Sequence, residues 1–366
     1  MIVFVHLLND RSGSPRVLCS AINALAENVD GSRLFVGSDG SGSLNEVGVP
    51  ITLYWYKRTS YRLLTLFNYL FSQLSLLVSL LRSRDIERGS IVYVNTLLPF
   101  GAALYGWLTG RKIIYHVHEI SISPAPLRWF LVGMAKLTSS LNIYVSDSHM
   151  NALPIHNVPA VRIYNALGSD FAAEAAASAY ALRRQGFFNI LMIASLRDYK
   201  GIPELVDLSQ RLLANDSIRV RLVVNDESED IERYFIKTFL PPNLSVHAKV
   251  KDPAVYYAKA ALVLNLSRVD QWVETFGLTV LEAMAFGIPV IAPPIGGPAE
   301  LMIDGVQGFL VDSRDSAELE RKVLEIFGDS ELSEKMSSAC RSRAAEFSAE
   351  SFAKNIREAV AEVMDQ

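Results

Sequence analysis

Two carboxylates flank a glycine turn in the segment ETFGLTVLEAMAFGIP, which begins at Glu274. Glu274 precedes the turn, and Glu282 follows it on a helix predicted from the spacing of apolar residues. The unpaired N–H groups and the positive dipole end at a helix start attract a diphosphate. We therefore expect the turn and the first helical residues to bind the diphosphate of a sugar donor. These residues are Phe276, Gly277, Leu278 and Thr279. A carboxylate on each side can accept hydrogen bonds from sugar and ribose hydroxyl groups. The segment therefore predicts a sugar-nucleotide site.

A simpler interpretation of Glu282 exists. Thr279 and Glu282 have the spacing of a capping box, in which the glutamate satisfies backbone donors at a helix start. Gly287 and Pro289 are also ordinary signals of a helix end. Both interpretations of Glu282 remain open at this stage.

The motif order resembles that of the retaining nucleotide-sugar glycosyltransferases of family 4, which have the GT-B fold and two glutamates at this spacing. Further along the chain, Val290–Ala292 is typical of a buried strand and Gly296-Gly297-Pro298 of a glycine turn before a helix. The resemblance covers nearly the whole chain, and its specific motifs lie in residues 265–312. It implies that Glu274 and His118 contact the donor sugar and that Glu282 contacts the ribose.

The segment from Ala194 to Gly201 is similar to the phosphate-binding turn of the family. The resemblance implies that Lys200 gives a positive charge to the diphosphate and stabilises the leaving group. Family members commonly have arginine where this chain has Ser195. Arg197 or Arg268 can replace it, and a solvated surface charge is the alternative for each.

His118 and Glu119 follow a predicted strand in the segment IIYHVHEI. The family places a histidine that contacts the donor sugar here, and binding residues concentrate on such loops. A structural histidine is the alternative. Glu119 is a neighbour that can orient the acceptor or the imidazole.

Two further loops are candidates for ligand contact. The turn after the first strand can bring backbone amides to a phosphate or an acceptor, although a plain strand-to-helix turn fits equally well. Its candidate residues are Ser12, Gly13, Ser14 and Arg16. The loop containing Val250 and Lys251 lies, by the resemblance, beside the nucleobase and contacts it mostly through backbone atoms.

Short apolar strands alternate with helix-length segments, which is typical of parallel, doubly wound sheets. With the resemblance, this pattern predicts the α/β class and a GT-B fold: two Rossmann-like domains facing a central cleft. In open α/β sheets, ligands bind beyond the carboxyl ends of the strands. The predicted strands are 2–7, 33–36, 91–94, 112–116 and 142–145 in the first half, and 189–193, 220–224, 262–266, 289–292 and 308–311 in the second.

The length of 366 residues suggests two domains. We expect an N-terminal acceptor-side domain over 1–165, an alanine-rich linker over 166–187 and a C-terminal nucleotide-sugar domain over 188–347. A final helix over 348–366 is expected to pack back on the N-terminal domain. The only cysteines, Cys19 and Cys340, suggest a reducing compartment. Residues 1–8 lack a basic leader, so the expected location is cytoplasmic.

Charge is unevenly divided along the chain. Residues 1–165 contain 14 Lys/Arg and 9 Asp/Glu, whereas residues 166–366 contain 21 and 30. Basic residues flank the apolar stretch Leu63–Leu81, a pattern that can rest on an anionic membrane surface. A buried helix covering a parallel sheet is an equally good interpretation, and a membrane span is less favoured because the stretch contains several polar residues.

These patterns predict a retaining, metal-independent glycosyltransferase, which moves a sugar from a nucleoside-diphosphate sugar to a hydroxyl of a glycan or lipid-linked acceptor. Bacterial-type surface polysaccharide or glycolipid synthesis is the expected setting. No cofactor and no nucleic-acid partner is expected, and no Asp-x-Asp motif or histidine cluster at ligand spacing suggests a metal. A GT-B sugar-nucleotide epimerase and a catalytically silent nucleotide-sugar-binding subunit of a membrane assembly are the alternatives.

Overall fold

The chain divides into two compact units in the computed structural model, which describes residues 1–26, 31–59, 61–250 and 252–365. Unit 1 comprises Met1–Ala166 together with Ala349–Gln366. Unit 2 comprises Leu167–Ser348. Each unit contains one parallel β-sheet, and helices connect its strands.

Unit 1 has a seven-stranded sheet in the order β3-β2-β1-β4-β5-β6-β7. The strands β1, β4, β5 and β6 are buried along their whole length, because helices cover both faces of such a sheet. In chain order the elements are β1 Ile2–His6, α1 Gly13–Ala26, β2 Arg33–Gly37, β3 Ile51–Tyr54, α2 Arg62–Arg82, β4 Ile91–Asn95, α3 Phe100–Leu108, β5 Ile113–Val117, α4 Ala125–Thr138, β6 Leu141–Tyr144, α5 Asp147–Ala152, β7 Ala160–Arg162 and, from the end of the chain, α14 Ala349–Asp365.

Helices α2, α3 and α4 pack side by side in one core with the sheet. This core contains Leu76 of α2, Tyr105 of α3 and Leu131 of α4 together with strand residues. Helix α14 packs against α1, and the Arg357 guanidinium donates to the Ala24 carbonyl at 3.3 Å. The last helix of the chain is therefore part of unit 1.

Unit 2 has a six-stranded sheet in the order β10-β9-β8-β11-β12-β13. Its main core lies between strands β8, β9 and β11 and the helices α7 and α12. The elements are α6 Ser169–Ala177, β8 Phe188–Ala194, α7 Ile202–Arg211, β9 Ile218–Val224, α8 Ser228–Phe235, β10 Leu244–His247, α9 Ala254–Tyr257, β11 Leu262–Leu264, α10 Leu278–Ala285, β12 Val290–Ala292, α11 Pro298–Leu301, β13 Gly308–Leu310, α12 Ser316–Gly328 and α13 Ser330–Ala344.

All ten predicted strands are present, with ends within two residues of the prediction. The ten-strand prediction missed β3, β7 and β10, which lie at sheet edges and have half-exposed residues in place of a continuous apolar run. The region predicted as a linker, 166–187, contains helix α6 and lies almost entirely in unit 2.

Candidate active site

The strand order of unit 2 reverses between β8 and β11, so the loops after these two strands leave the sheet side by side. Ligands of open α/β sheets bind at such a point. Gly201, in the loop after β8, has φ +84°, and a Cβ added there would lie 2.1 Å from the carbonyl oxygen of Leu266. Only glycine permits this approach, which holds the two loops together.

Lys200 and Glu274 meet at this point. The Lys200 ammonium lies 2.5 Å from Glu274 Oε1, and the Ser267 hydroxyl donates to the same oxygen at 2.6 Å. Both charged side chains are 17 % exposed, so the ion pair is shielded but open to a ligand. Burial alone would raise the pKa of Glu274, but the charge of Lys200 and hydrogen bonds from Lys200, Ser267 and Trp272 lower it. The carboxyl group is therefore an anion at neutral pH.

Aromatic rings form one wall beside Lys200. Its ammonium lies 4.8 Å from the centre of the Trp272 ring, and Trp272 stacks on Tyr199 with ring centres 4.9 Å apart. The cation–π contact restricts the lysine without using its hydrogen-bond donors. An ammonium has three donors, so Lys200 can bind Glu274 and a second anion together.

A second glycine turn holds the Glu274 segment. The Gly297 N–H donates to the Glu274 carbonyl at 2.9 Å. A Cβ on Gly297 would lie 2.2 Å from Phe276 Cα, and one on Gly296 would lie 2.6 Å from the Glu274 carbonyl oxygen. The Gly296-Gly297 turn before α11 thus fixes the backbone that presents Glu274.

Helix α10 begins at Leu278, and no side chain caps it. The capping-box interpretation of Thr279 and Glu282 is therefore wrong, because Thr279 lies inside the first turn. The N-cap residue is Gly277 with φ +95°, a backbone conformation that favours glycine. A Cβ added there would lie 3.1 Å from Pro298 Cγ. The Phe276 side chain is buried against Phe347, which leaves only its backbone for ligand contact.

Glu282 is buried, and its Oε2 accepts a hydrogen bond of 2.7 Å from the Tyr257 hydroxyl. Tyr257 is in turn stacked on Phe286 with ring centres 5.6 Å apart. The tyrosine holds the carboxylate in one orientation within this pocket of aromatic side chains. A ribose contact by Glu282 thus requires a ligand that reaches a largely enclosed group.

The two candidate replacements for the family arginine differ. Arg268 donates to Asp270 at 2.9 Å and lies 3.5 Å from Glu204, so existing ion pairs occupy it. Arg197 is exposed, and its guanidinium donates to the neighbouring Leu196 carbonyl at 2.8 Å. Arg197 is the better placed of the two to turn toward a phosphate. Val250 follows β10 and is half-buried, whereas Lys251 lies outside the described residues.

In unit 1 the strand order reverses between β1 and β4, and a polar network lies at the ends of β1, β4 and β5. Asn95, at the end of β4, is its centre. The Asn95 amide nitrogen lies 3.1 Å from the Ser14 carbonyl and 3.1 Å from His6 Nδ1, and its Oδ1 lies 3.0 Å from His118 Nε2. We call Asn95, His6, His118 and Ser14 the Asn95 network.

The Asn95 network fixes the tautomer of His118. A backbone carbonyl only accepts, so the Asn95 nitrogen must face Ser14 and its oxygen must face His118. His118 Nε2 therefore carries the proton, and Nδ1 is an acceptor in the neutral ring. Burial, followed by the nearby His116, His149 and His6, holds the pKa of His118 well below its usual range. The imidazole is neutral at physiological pH and can accept a hydrogen bond from a hydroxyl.

Glu119 contacts the backbone of two neighbouring loops. Its carboxylate accepts from the Leu97 N–H at 3.1 Å and from its own loop at the His118 N–H at 3.2 Å. Burial raises the pKa of Glu119 to about 7, although these hydrogen bonds oppose the shift. Glu119 thus positions the backbone around His118 and makes no bond to the imidazole.

The turn of unit 1 that was predicted to bind a phosphate is present, but its polar groups mostly make hydrogen bonds within the turn. Ser12 donates to Asp10 through both its N–H, at 2.8 Å, and its hydroxyl, at 2.5 Å. Gly13 and Ser14 begin α1, and Arg16 lies in its first turn, half-buried. Within the described parts of the chain, no three metal-binding side chains are grouped to hold an ion.

Part of the chain is similar to a known protein family. Residues 180–343 match the family model of glycosyl transferases group 1. The matched residues lie within unit 2. Along the chain as a whole, an Anabaena Alr3699/HepE structure in complex with UDP-glucose superposes with a TM-score of 0.79 at 21 % identity, over 99 % of each chain. That likeness identifies the GT-B fold.

Curated relatives of this GT-B chain match over shorter lengths. An uncharacterised glycosyltransferase of Methanocaldococcus jannaschii is 25 % identical over 209 residues, 56 % of this chain and 54 % of that protein. A D-inositol 3-phosphate glycosyltransferase of Geodermatophilus obscurus is 30 % identical over 177 residues, 43 % of this chain and 37 % of that protein. The chain thus spans about half or less of the length of these relatives.

Sequence reasoning missed several contact residues in both units. Ser267, Trp272 and Tyr257 contact Glu274, Lys200 and Glu282, and Asn95 contacts His118. Asn95 and Ser267 each follow or end a buried strand, so the rule that singled out His118 would have found them. No sequence signal marks Tyr257 or Trp272.

Proposed function

We propose that this GT-B chain transfers a sugar from a nucleoside-diphosphate sugar to an acceptor hydroxyl, with retention at the anomeric carbon. The observation that carries the proposal is the contact of Lys200 with Glu274 at the reversal point of the unit 2 sheet, within the residues that match the group 1 family model. The Lys200 ammonium suits a diphosphate and the Glu274 carboxylate suits sugar hydroxyls. Their ion pair fixes both side chains in position before a ligand binds.

In the proposed reaction the bond from the anomeric carbon to the diphosphate breaks, and a bond to the acceptor oxygen forms on the same face. The acceptor proton passes to the leaving diphosphate. Lys200 and the free N–H groups at the start of α10 stabilise the charge that develops on the diphosphate, with Arg197 as a further cation. Glu274 orients the sugar and Glu282 the ribose. Catalysis thus rests on orientation and electrostatics, with no bound metal.

For unit 1 we propose that His118 contacts the donor sugar. Its neutral ring presents an acceptor nitrogen, which matches a sugar hydroxyl. Unit 1 would also supply the acceptor side, with the turn at Ser12–Arg16 beside it. The proposed acceptor is a glycan or a lipid-linked sugar, in cytoplasmic synthesis of surface polysaccharide or glycolipid at the inner face of the membrane.

The UDP-glucose complex of the Anabaena protein, which shares this fold, supports a nucleotide-sugar donor. A thermal-shift panel of UDP, GDP, ADP and CMP identifies the base, and incubation of the matching sugar nucleotides with lipid extract and glycan acceptors tests transfer. We expect a glycosylated product whose anomeric configuration, read by NMR, equals that of the donor. An epimerised nucleotide would favour the epimerase alternative, and inversion would contradict the mechanism.

Metal independence and the role of Lys200 are tested in the same assay. EDTA should leave transfer unchanged, and Lys200→Ala should weaken nucleoside-diphosphate binding by about 1.5–3 kcal/mol through loss of a charge-assisted contact. Inhibition by EDTA that Mg²⁺ reverses would contradict the proposed mechanism. The matched control is Lys322→Ala, which removes a lysine bound to Glu325 on α12 of the same unit.

A further inference from the structure

Helix α2 of unit 1 exposes a continuous apolar stripe. Its exposed members are Leu63, Leu64, Phe67, Leu70, Phe71, Leu74 and Leu81, of which Leu63 is 77 % and Phe67 71 % exposed. At about 100° per residue these positions fall on one side of a helix. Tyr69, Leu76 and Leu80 fall on the opposite side and are buried in the core. The stripe therefore points away from the protein.

The exposed side of α2 is apolar, unlike that of an ordinary surface helix, and two of its polar residues are buried. Its buried side includes Ser72 and Gln73, which are 0 % and 2 % exposed. The Ser72 hydroxyl donates to the Tyr69 carbonyl at 2.6 Å, and Gln73 Oε1 accepts from the Gly101 N–H of α3 at 3.1 Å. A helix that faces water normally places polar residues outside and apolar ones inside. The exterior of α2 suits an apolar environment.

The stripe continues onto neighbouring elements. Trp55, next to the edge strand β3, contacts Phe71 edge to face with ring centres 5.1 Å apart. Helix α3 packs beside α2 and exposes Trp107 in its last turn, and α4 packs beside α3 and exposes Trp129. We call this region, formed by the outer sides of β3, α2, α3 and α4, the apolar surface. Exposed patches of this extent are typical of interaction sites.

Three of the four tryptophans of the chain lie on the apolar surface. Trp55 is 41 %, Trp107 52 % and Trp129 73 % exposed. Tryptophan is enriched where protein meets the headgroup region of a bilayer, because its ring is apolar and its N–H needs a polar partner. This composition favours a lipid surface over a purely apolar protein partner.

The charge around the apolar surface is strongly positive. Residues 51–146 contain ten Lys/Arg and only three Asp/Glu. Of the three acids, Glu119 binds backbone amides and Asp85 pairs with Arg33, so both are already engaged. Exposed Lys57 and Arg58 precede α2, and exposed Arg82 ends it. Basic residues around an apolar helix attract anionic headgroups.

We propose that the apolar surface docks unit 1 on a bilayer that contains anionic lipid, with α2 lying in the plane of the interface. Among the described residues, α2 is the one helix long and apolar enough to cross a membrane. It cannot be surrounded by lipid, however, because one side packs against α3 and the core of unit 1. A second copy of the chain fits less well, since a two-fold contact would bring like-charged basic residues together. The proposal does not depend on the transfer reaction.

Sedimentation of the full chain with vesicles tests this docking. We expect binding to phosphatidylglycerol-containing vesicles at low salt, weak binding to pure phosphatidylcholine, and release as NaCl rises to about 1 M, where the Debye length is about 3 Å. Phe67→Gln with Leu74→Gln should lower the partition coefficient by about 10-fold or more, because both side chains lose their apolar contact with lipid. Lys57→Gln with Arg82→Gln should lower it for anionic vesicles only.

The matched control is Ile236→Gln with Phe239→Gln on unit 2, where both side chains are as exposed as those of α2. The control should bind vesicles like the unchanged protein. Quenching of tryptophan fluorescence by brominated lipids should be reduced in Trp107→Phe with Trp129→Phe, lost when Trp55→Phe is added, and kept in Trp272→Phe. Far-UV circular dichroism checks that each variant is folded.

Three results would overturn the proposal. The first is equal recovery of the protein in the soluble fraction with anionic and with neutral vesicles at low salt. The second is vesicle binding that survives Phe67→Gln with Leu74→Gln in a folded protein. The third is a lipid-free dimer, detected by analytical ultracentrifugation, that this double substitution dissociates while vesicles bind neither form. That last result would assign the apolar surface to a second copy of the chain.

Discussion

At the scale of single residues, the Lys200–Glu274 ion pair is the feature most open to test. Glu274→Gln keeps the shape of the side chain but removes the charge that Lys200 and Ser267 orient. We expect a folded protein whose kcat/KM falls at least ~100-fold, the size of losing a hydrogen bond that strengthens in the transition state. Steady-state kinetics with the donor found by thermal shift measure the change.

The control for Glu274 is Glu325→Gln, since Glu325 also binds a lysine, Lys322, at 3.0 Å in unit 2 but on α12. It should leave kcat/KM within about two-fold of the unchanged protein, because this pair lies on α12, outside the loops after β8 and β11 that form the site. Turnover near normal in Glu274→Gln would remove Glu274 from the site.

Glu282 should act on nucleotide affinity. If it binds the ribose, Glu282→Ala weakens nucleoside-diphosphate binding by about 1.5–3 kcal/mol, or roughly 10- to 150-fold. A 2′,3′-dideoxy nucleotide removes the same contact from the ligand, so the two losses measured by calorimetry should not add. Tyr257→Phe is the control, because it removes the 2.7 Å hydrogen bond but keeps the carboxylate. Fully additive losses would leave Glu282 with a structural role alone.

Asn95 should control the state of His118. In Asn95→Asp a negative charge replaces the amide 3.0 Å from His118 Nε2, so the pKa of His118 should rise. Histidine titration by NMR measures this shift without any substrate. Asn95→Ala should lower kcat by about 10-fold with little change in donor KM, as expected for a positioning residue that loses one hydrogen bond. An unchanged His118 titration in Asn95→Asp would contradict the contact between the two side chains.

At the scale of elements, Gly201 sets the approach of the loops after β8 and β11. In Gly201→Ala, alanine must adopt φ +84°, which is unfavourable for a residue with a Cβ, and the loop must move away from Leu266. We therefore expect losses of both stability and nucleotide affinity. Gly186 is a matched control, because it has φ +83° with nothing within 4 Å of an added Cβ. Gly186→Ala should cost about 1–2 kcal/mol of unfolding free energy and leave affinity unchanged. Equal effects on affinity would show that the Leu266 contact is unimportant.

The sequence predicted correctly the strands that are buried along their whole length. Strands buried on both faces, such as β4 and β5, are continuous apolar runs and were predicted within two residues. The edge strand β3 mixes exposed and buried residues, because a neighbour covers only one of its sides, and the pattern gave no signal. Family resemblance singled out Lys200 and Glu274, but their contact joins residues 74 positions apart. No local pattern shows such a contact, nor the tyrosine that holds Glu282.

At the scale of the whole molecule, titratable groups are unevenly shared between the units. Unit 1 contains three buried histidines and the half-buried His118, and desolvation lowers the pKa of each, to about 4 for His6 and His149 and about 3 for His116. A lowered histidine pKa means that the unfolded state binds more protons, so this stability is present above about pH 6.5 and is lost as pH falls. Glu119, raised to about 7, opposes this trend, because its folded state binds more protons between about 4.5 and 7.

The four histidines together change the free energy of unfolding more than Glu119 does, so unit 1 should lose stability as pH falls from 7 to 5. The loss is on the order of 1–2 kcal/mol per histidine, before the opposing effect of Glu119 is subtracted. Hydrogen exchange measured by mass spectrometry, corrected for intrinsic rates, tests this. As pH falls from 7 to 5, the rate of opening should rise more in β1, β4 and β5 than in the unit 2 sheet. His6→Asn should reduce the pH dependence, whereas His156→Asn, at an exposed position, should not. Equal acid sensitivity of both units would contradict this assignment.

The return of the chain to unit 1 has a consequence for its synthesis. Helix α14, which covers α1, is separated from Ala166 by the whole of unit 2. On the ribosome, unit 2 is contiguous and can fold as it emerges, whereas α1 keeps an uncovered apolar side until Phe352 and Ile356 have been translated. Unit 1 therefore begins first and finishes last. A chain stopped after Ser348 would release a folded unit 2 joined to an incomplete unit 1, the form that chaperones and proteases recognise.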